Sequence, residues 1–333
     1  MAALHPGTNG SPRGSHLLYA PIATDLAEVE RVFARQLASH RGHVARLISH
    51  LEHYRGKRLR PTLLLLTARA CGTIAPAHHI LGAVVEMIHT ATLVHDDVLD
   101  EADLRRHAPT VNAAWGNRSS ILLGDMLFSH AFHLASTVGD AQACEIIGAA
   151  TNRVCEGELH QIIESGNLDL SEADYFDIID GKTAELTACC CRLGALYAGA
   201  DEEAVEQLSI YGRYLGTAFQ IADDLLDLTG LEESTGKTLG TDLAQQKPTL
   251  PVIHMLARTP AEQSARLRQL LRDPATPRES LLPYLRESGA LGFARRRAEE
   301  FADRARDALR VLPPSELRSL LETLTDWTVR REK

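Results

Sequence analysis

Two stretches of the chain share one pattern of carboxylates: Asp96-Asp97-Val98-Leu99-Asp100 and Asp223-Asp224-Leu225-Leu226-Asp227. On a helix the first and last aspartates of such a pentad, at i and i+4, stand on one face about 6 Å apart. Two acids at that separation suit a pair of divalent cations better than general acid–base work. Magnesium takes oxygen ligands and usually keeps one or two protein carboxylates, completed by substrate phosphates. Either motif alone reads equally well as a solvated acidic helix end. Both, however, follow a small-and-apolar helical run, one from Leu81 and one from Tyr214 to Ala222, and unrelated solvated faces would rarely share both spacing and lead-in. Two acidic helix ends facing each other could hold metal ions that clamp a diphosphate between them.

Other chemistry-bearing residues surround the pentads. Gly56-Lys57-Arg58-Leu59-Arg60-Pro61 lies upstream, Arg105-Arg106 follows the first motif, and Lys182-Thr183, Phe219-Gln220 and Lys237 come later. Each piece is weak by itself. In this order, over nearly everything from Leu51 to Leu256, the set resembles the trans-isoprenyl (polyprenyl) diphosphate synthases, most closely the long-chain bacterial type.

That resemblance implies a reaction and a role for each residue. An allylic diphosphate primer would ionise, the double bond of isopentenyl diphosphate would attack the carbocation, and loss of a proton would leave an all-trans product one five-carbon unit longer. The protein's share is electrostatic: stabilise the leaving diphosphate and keep water from a cation. By the same resemblance Asp96 and Asp100 hold two magnesium ions, Asp223 a third, and Asp227 supports the third directly or through water; manganese can substitute. Asp97 and Asp224 stand off that face and serve behind it. Lys57, Arg60, His89 and Arg106 bind isopentenyl diphosphate. Arg105, Lys182 and Lys237 bind the allylic diphosphate, with Lys247 assisting. Thr183 and Gln220, together with Lys182, lie near the reacting carbon, and Arg58 faces solvent or supports the site. No protein base is implied; the released diphosphate takes the proton. Three letters depart from the family pattern, Arg55, His107 and Gln246 each standing where glycine is usual. A product longer than C20 is expected, because Ala91, five residues before Asp96, leaves open a path along Thr92, Ala91 and Ile88 that short-chain members often close with an aromatic. Phe132 is the expected floor. A farnesyl or geranylgeranyl diphosphate synthase is the alternative; a class I terpene cyclase or a non-catalytic synthase subunit fits less well, because both Asp-rich motifs are intact.

These residues need helices to position them. The 333-residue chain is 44% hydrophobic but only 5% aromatic, so its core is Leu, Ala, Ile and Val. Apolar positions recur at helical spacing from Leu26 to Leu51, and no alternating strand pattern appears. The expected fold is all-α, a single-domain helical bundle around a central cavity, spanning 21–333 behind a flexible leader at 1–20. Three or four helices are expected beyond Pro251, with an outer face of Arg and Glu, and Thr229 to Lys247 reads as a loop over the site. A net charge of -9 argues against a nucleic-acid partner. No continuous apolar run reaches membrane-spanning length. The six cysteines lack zinc-ligand spacing and read as reduced, mostly buried residues of a cytoplasmic protein. A homodimer is expected from the family, with weak membrane-surface association for product release.

Overall fold

The computed structural model describes residues 19–38, 41–230, 239–273 and 275–330. The chain runs through α1 (Ala23–Gln36), α2 (Gly42–His50), α3 (Leu59–Cys71), α4 (Pro76–Leu99), α5 (Val111–Trp115), α6 (Asn117–Ser136), α7 (Gln142–Ile163) and α8 (Glu172–Ile179). It continues through α9 (Glu185–Tyr197), α10 (Glu202–Thr229), α11 (Thr241–Ala244), α12 (Leu250–Arg258), α13 (Ala261–Leu271), α14 (Arg278–Glu287), α15 (Ala290–Ala308) and α16 (Glu316–Val329). Local chemistry sets many boundaries. Ser171 and Asp201 cap α8 and α10 by accepting backbone N–H groups from Asp174 and Ala204, and Pro76 opens α4, where its missing N–H costs nothing.

The all-α expectation holds, with one small addition. Leu104–Arg105 (β1) pairs antiparallel with Ala108–Pro109 (β2). Two-residue strands carry no alternation, so the pattern had nothing to show. From Leu250 on, the described residues form five helices rather than three or four, because Pro260, Pro277 and Gly289 each stand at a helix N-cap and break what reads as continuous periodicity. The leader lies outside the described residues as far as residue 18. Its last two residues are placed: Ala20 begins a 3-10 turn, and the Tyr19 hydroxyl donates to the Lys57 carbonyl at 2.8 Å.

The core is built around α4, α9 and α10. Leu63 to Leu66 on α3 and Cys189, Cys190 and Cys191 on α9 are all buried, so both helices are covered on every side. All six thiols are free; Cys155 is the exposed one. α4 is a correction to the membrane reading. Its charged residues interrupt any continuous run, yet an 18-residue window of it is apolar enough by length and composition to cross a bilayer. Two-thirds of that window is buried inside the protein, which makes it a core helix. α10 is gripped from two sides. Cβ atoms at Gly212 and Gly216 would lie 2.5 Å from the Thr187 carbonyl oxygen and 2.2 Å from the Thr187 hydroxyl, so only glycine lets α9 come this near. α15 packs along α10 and buries Ala290, Ala294, Ala298, Ala302 and Ala305. Its Arg and Glu residues form the solvated face that the composition suggested, but the small-residue stripe behind them is the structural part.

Candidate active site

The first motif closes α4. Asp97 is fully buried and works behind the site. It accepts from the Arg105 Nε at 2.9 Å and Nη2 at 2.7 Å, and from the Tyr54 hydroxyl. Tyr54 in turn accepts from the Val111 backbone N–H at 3.2 Å. Asp97 therefore ties the helix end to the hairpin and to the segment before α3. Arg105, expected on the allylic diphosphate, here anchors the hairpin through two of its nitrogens.

Arg106 and His107 form the two-residue turn of that hairpin, with φ 50° and 64°. Left-handed values at both central positions define the turn type that usually recruits Asn or Gly. That is the physical reason glycine is usual where His107 stands. Gln246 also has a positive φ, 55°, whereas Arg55 sits in ordinary extended backbone with φ -62° and ψ 119°. Two of the three departures thus fall where an L side chain carries local strain. Arg106 Nη1 donates to the Tyr54 carbonyl at 2.7 Å. A Cβ at Gly56 would stand 2.5 Å from Arg106 Nη2, so glycine is what admits this guanidinium. Arg60, Arg105, Arg106 and Arg58 all act on His89, whose pKa is held well below the usual imidazole range first by burial and then by these four cations. The ring is neutral and stands among four guanidinium groups. Arg60 is half-buried, and its Nε is an enclosed donor without a hydrogen-bond partner. Lys57 is exposed, its ammonium 4.4 Å from the centre of the Trp327 ring.

The second motif lies on α10 across from the first. Thr183 Oγ1 donates to Gln220 Oε1 at 2.7 Å, Gln220 Nε2 donates to Asp224 Oδ1 at 2.8 Å, and the Tyr175 hydroxyl donates to Asp224 Oδ2 at 2.6 Å. Asp224, buried, orients the Gln–Thr pair beside Asp223. Lys182 and Thr183 ride on a single π turn, Asp180–Ala184, between α8 and α9. Here the helix widens without breaking between Ile179 and Glu185, a feature frequent at functional sites. The widened turn presses on α7, where a Cβ at Gly157 would meet the Lys182 backbone nitrogen at 2.5 Å. Lys182 reaches Glu158 at 2.8 Å and Gln161 at 2.7 Å. Both residues went unnoticed in the sequence, because no spacing rule joins positions more than twenty apart.

Asp227 is held by the segment that follows α10. Its carboxylate accepts from the backbone N–H groups of Gly240, Thr241 and Asp242 at 3.1 to 3.3 Å and from the Thr241 hydroxyl, capping α11. Four donors on one carboxylate favour contact with a metal through water. Lys247 crosses to the first motif, its Nζ 2.8 Å from Asp100 Oδ1, and Gln245 Nε2 donates to the Asp100 carbonyl at 3.2 Å. Part of the segment read as a loop over the site does lie there. Residues 231–238, and Lys237 with them, lie outside the described residues.

The electrostatics call for cations. Burial pushes the Asp96 carboxyl up to about 7, with Lys182 opposing and Glu158 and Asp100 adding repulsion. Asp224 is also raised to about 7, by burial above all, against its bonds to Tyr175 and Gln220. Asp242, absent from the sequence reading, is driven well above the carboxylate range by burial and by Asp224 and Asp227. A cavity of about 130 Å³ touches both motifs, lined by Asp100, Lys182, Gln220, Asp224, Asp242 and Lys247 among others. No cluster of three or more His, Cys, Asp or Glu forms a ready metal cage among the described residues. Hard oxygen donors split between two walls fit magnesium that is completed by substrate phosphates.

The expected product path is closed. Ile88 and Ala91 have no accessible surface and pack in one cluster with Leu123 and Leu127 of α6; Phe132 is half-buried against the same cluster. A tail running this way has to part α4 from α6.

Comparison with known proteins agrees with this geometry. The polyprenyl synthetase family matches residues 42–286. An octaprenyl diphosphate synthase of Escherichia coli (strain K12) is 40% identical over 93% of this chain and 97% of its own length. A nonaprenyl diphosphate synthase of Mycobacterium tuberculosis is 38% identical, covering 97% of each chain. Among solved structures, a decaprenyl diphosphate synthase from Rhodobacter capsulatus superposes with a TM-score of 0.90 at 37% identity, over 96% of this chain and 99% of that one. A polyprenyl synthase from Caulobacter crescentus, solved with calcium and isoprenyl diphosphate, gives the same score and identity over 98% of this chain and 100% of that one. The fold, the two facing acidic helix ends and these full-length relatives converge: the chain belongs to the polyprenyl synthetase family.

Proposed function

We propose that this enzyme condenses isopentenyl diphosphate with an allylic diphosphate primer, repeatedly, to an all-trans polyprenyl diphosphate longer than C20. The observation that carries the reading is the pairing of two acidic helix ends around one cavity, next to a cluster of arginines around a neutral histidine. Octa-, nona- and decaprenyl synthases among the full-length relatives support the long product.

Asp96 and Asp100 on one wall and Asp223 on the other would hold magnesium, with Asp227 acting through water; bound there, the metal supplies charge neutralisation to a departing diphosphate. Lys57, Arg60, His89 and Arg106 bind isopentenyl diphosphate, His89 donating as a neutral ring. Lys182, Lys237 and Lys247 bind the allylic diphosphate, with Arg105 braced on Asp97 behind them. Thr183 and Gln220 direct oxygen lone pairs toward the cation left after ionisation, and the apolar walls exclude water. The proton lost at the end passes to the released diphosphate.

A homodimer fits the exposed apolar side chains beside the first motif. Leu122 on α6 is 68% exposed and Ile163 at the end of α7 is 75% exposed, with Ile121, Leu159 and Ile162 also exposed on these two helices, apolar surface that a partner face would cover. Six free thiols suit a cytoplasmic setting, and a long apolar product suits release through weak contact with a membrane surface. Incubation with labelled isopentenyl diphosphate, a panel of allylic primers and magnesium, read by product length, tests the activity. Products no longer than C20 would overturn the long-chain reading; absence of elongation, or full elongation in chelator, would overturn the mechanism.

A further inference from the structure

Lys57 and Arg60 are presented by a loop whose shape depends on a residue outside the proposed diphosphate ligands. Arg58 is the N-cap of α3, with φ 54° and ψ 39°, a left-handed conformation that a non-glycine residue seldom adopts without a hold on it. Its side chain is only 10% exposed, so of its two expected places, solvent or support of the site, the first does not apply. It enters a cleft between α1 and α4. Nε and Nη2 donate to the two carboxylate oxygens of Glu30 on α1, the second at 3.1 Å, and Nη1 donates to Glu86 on α4. The guanidinium also lies over the Phe33 ring, 5.6 Å from its centre. Glu86 is itself buried and stands three residues before His89 on the same helix.

This arrangement bears on the residues at either side. The left-handed turn at Arg58 sends Lys57 to an exposed position, where its carbonyl meets Tyr19 and its ammonium the Trp327 ring, while Arg60 enters α3 beside His89. A free loop would relax toward right-handed or extended backbone and carry Lys57 away. We propose that Arg58 is a positioning residue for the isopentenyl diphosphate subsite: its planar fork, fixed to Glu30 and Glu86 on two different helices, holds the loop in the one conformation that brings Lys57 and Arg60 onto a single anion. The proposal rests on the reading of Lys57, Arg60 and His89 as diphosphate ligands. Only arginine can address three carboxylate oxygens on two helices from one rigid plane; a lysine in its place keeps the charge and loses the geometry.

The test is steady-state kinetics of Arg58→Lys, Glu30→Gln and Lys57→Ala in saturating magnesium, with thermal melts of each. Arg58→Lys is expected to raise KM for isopentenyl diphosphate about tenfold, equivalent to about 1.4 kcal/mol, with the allylic KM, kcat and melting temperature nearly unchanged. Glu30→Gln, which leaves Arg58 paired with Glu86, is expected to raise the same constant by a smaller factor and covers the case in which Arg58→Lys fails to fold. A purely structural role would instead lower kcat or raise both KM values together, and that result overturns the proposal. If Lys57→Ala leaves KM for isopentenyl diphosphate unchanged, the subsite reading falls and the proposal with it. If Lys57→Ala raises it and neither Arg58→Lys nor Glu30→Gln does, the subsite stands and the positioning role of Arg58 is overturned.

Discussion

Lys247 and Asp100 meet across the site at 2.8 Å, joining the segment that follows the second acidic motif to the last carboxylate of the first. Both side chains are mostly shielded from water. On the proposed assignment the lysine would compete with a metal ion for Asp100 and bind a diphosphate once that ion is in place. Lys247→Ala is expected to tighten substrate-free magnesium binding several-fold while raising KM for the allylic diphosphate about tenfold, a ratio equivalent to about 1.4 kcal/mol. Calorimetric titration and initial rates check the two halves. Weaker magnesium binding in the variant would show that Lys247 supports the metal site and does not compete with it.

Adjacent aspartates should fail in opposite ways. Asp96 is raised to about 7 in the metal-free protein, so its charge opposes folding. Asp96→Ala should abolish turnover, by several orders of magnitude, yet melt no lower than wild type. Asp97 holds Tyr54 and Arg105 from full burial, and removing one partner of a buried ion pair costs about 3–5 kcal/mol. Asp97→Ala should therefore lose roughly 5 °C or more in melting temperature. Equal melting temperatures for the two variants would contradict this division.

Stability should depend on pH with a sign set by the metal. Asp96 and Asp224 titrate near 7 when folded and near 3.8 when unfolded, so between these values the native state binds more protons. Metal-free stability then falls as pH rises from about 4 to about 7. His89, held low, acts the other way only below its ordinary value of 6.5. Magnesium should raise the melting temperature more at pH 8 than at pH 6, because its ligands are then already deprotonated. Scanning calorimetry at both values, with and without magnesium, checks it; an equal shift at both would remove Asp96 from the ligand set.

Chain length should respond to the packing between α4 and α6. Ala91 is fully buried in the core cluster that also holds Leu123 and Leu127 of α6, and close-packed interiors do not yield freely to an added ring. Ala91→Phe should stop elongation at C15 or C20 with the first condensations nearly intact. Phe132→Ala should lengthen the product by one or more units. An unchanged product from Ala91→Phe would place the tail on another face.

The pentads, the helices that carry them and the glycine–lysine segment were legible because each is local: fixed spacing, apolar lead-in, a proline near a helix start. What escaped was made by contacts across the chain. Glu158 and Gln161 meet Lys182 only after two helices fold back, the π turn carries no periodicity that sets it apart from the α-helices on either side, and Asp242 reads as part of a polar loop until three carboxylates gather around it. His107 was visible as a departure, but its left-handed backbone was not.

The grip on α10, glycines facing α9 on one side and the alanines of α15 on the other, has a consequence for an enzyme that works in rounds. Each addition ends with a diphosphate leaving and the next primer end arriving, so the same coordination frame must be rebuilt many times for one product. Short side chains without rotamers leave a helix little to rearrange. On the proposed roles Asp223 would return to one position at the start of every round, and the accommodation that growth demands would fall on the leucine- and phenylalanine-lined seam between α4 and α6. One wall of the chamber would keep the register of the chemistry; the other would record how many units have been added.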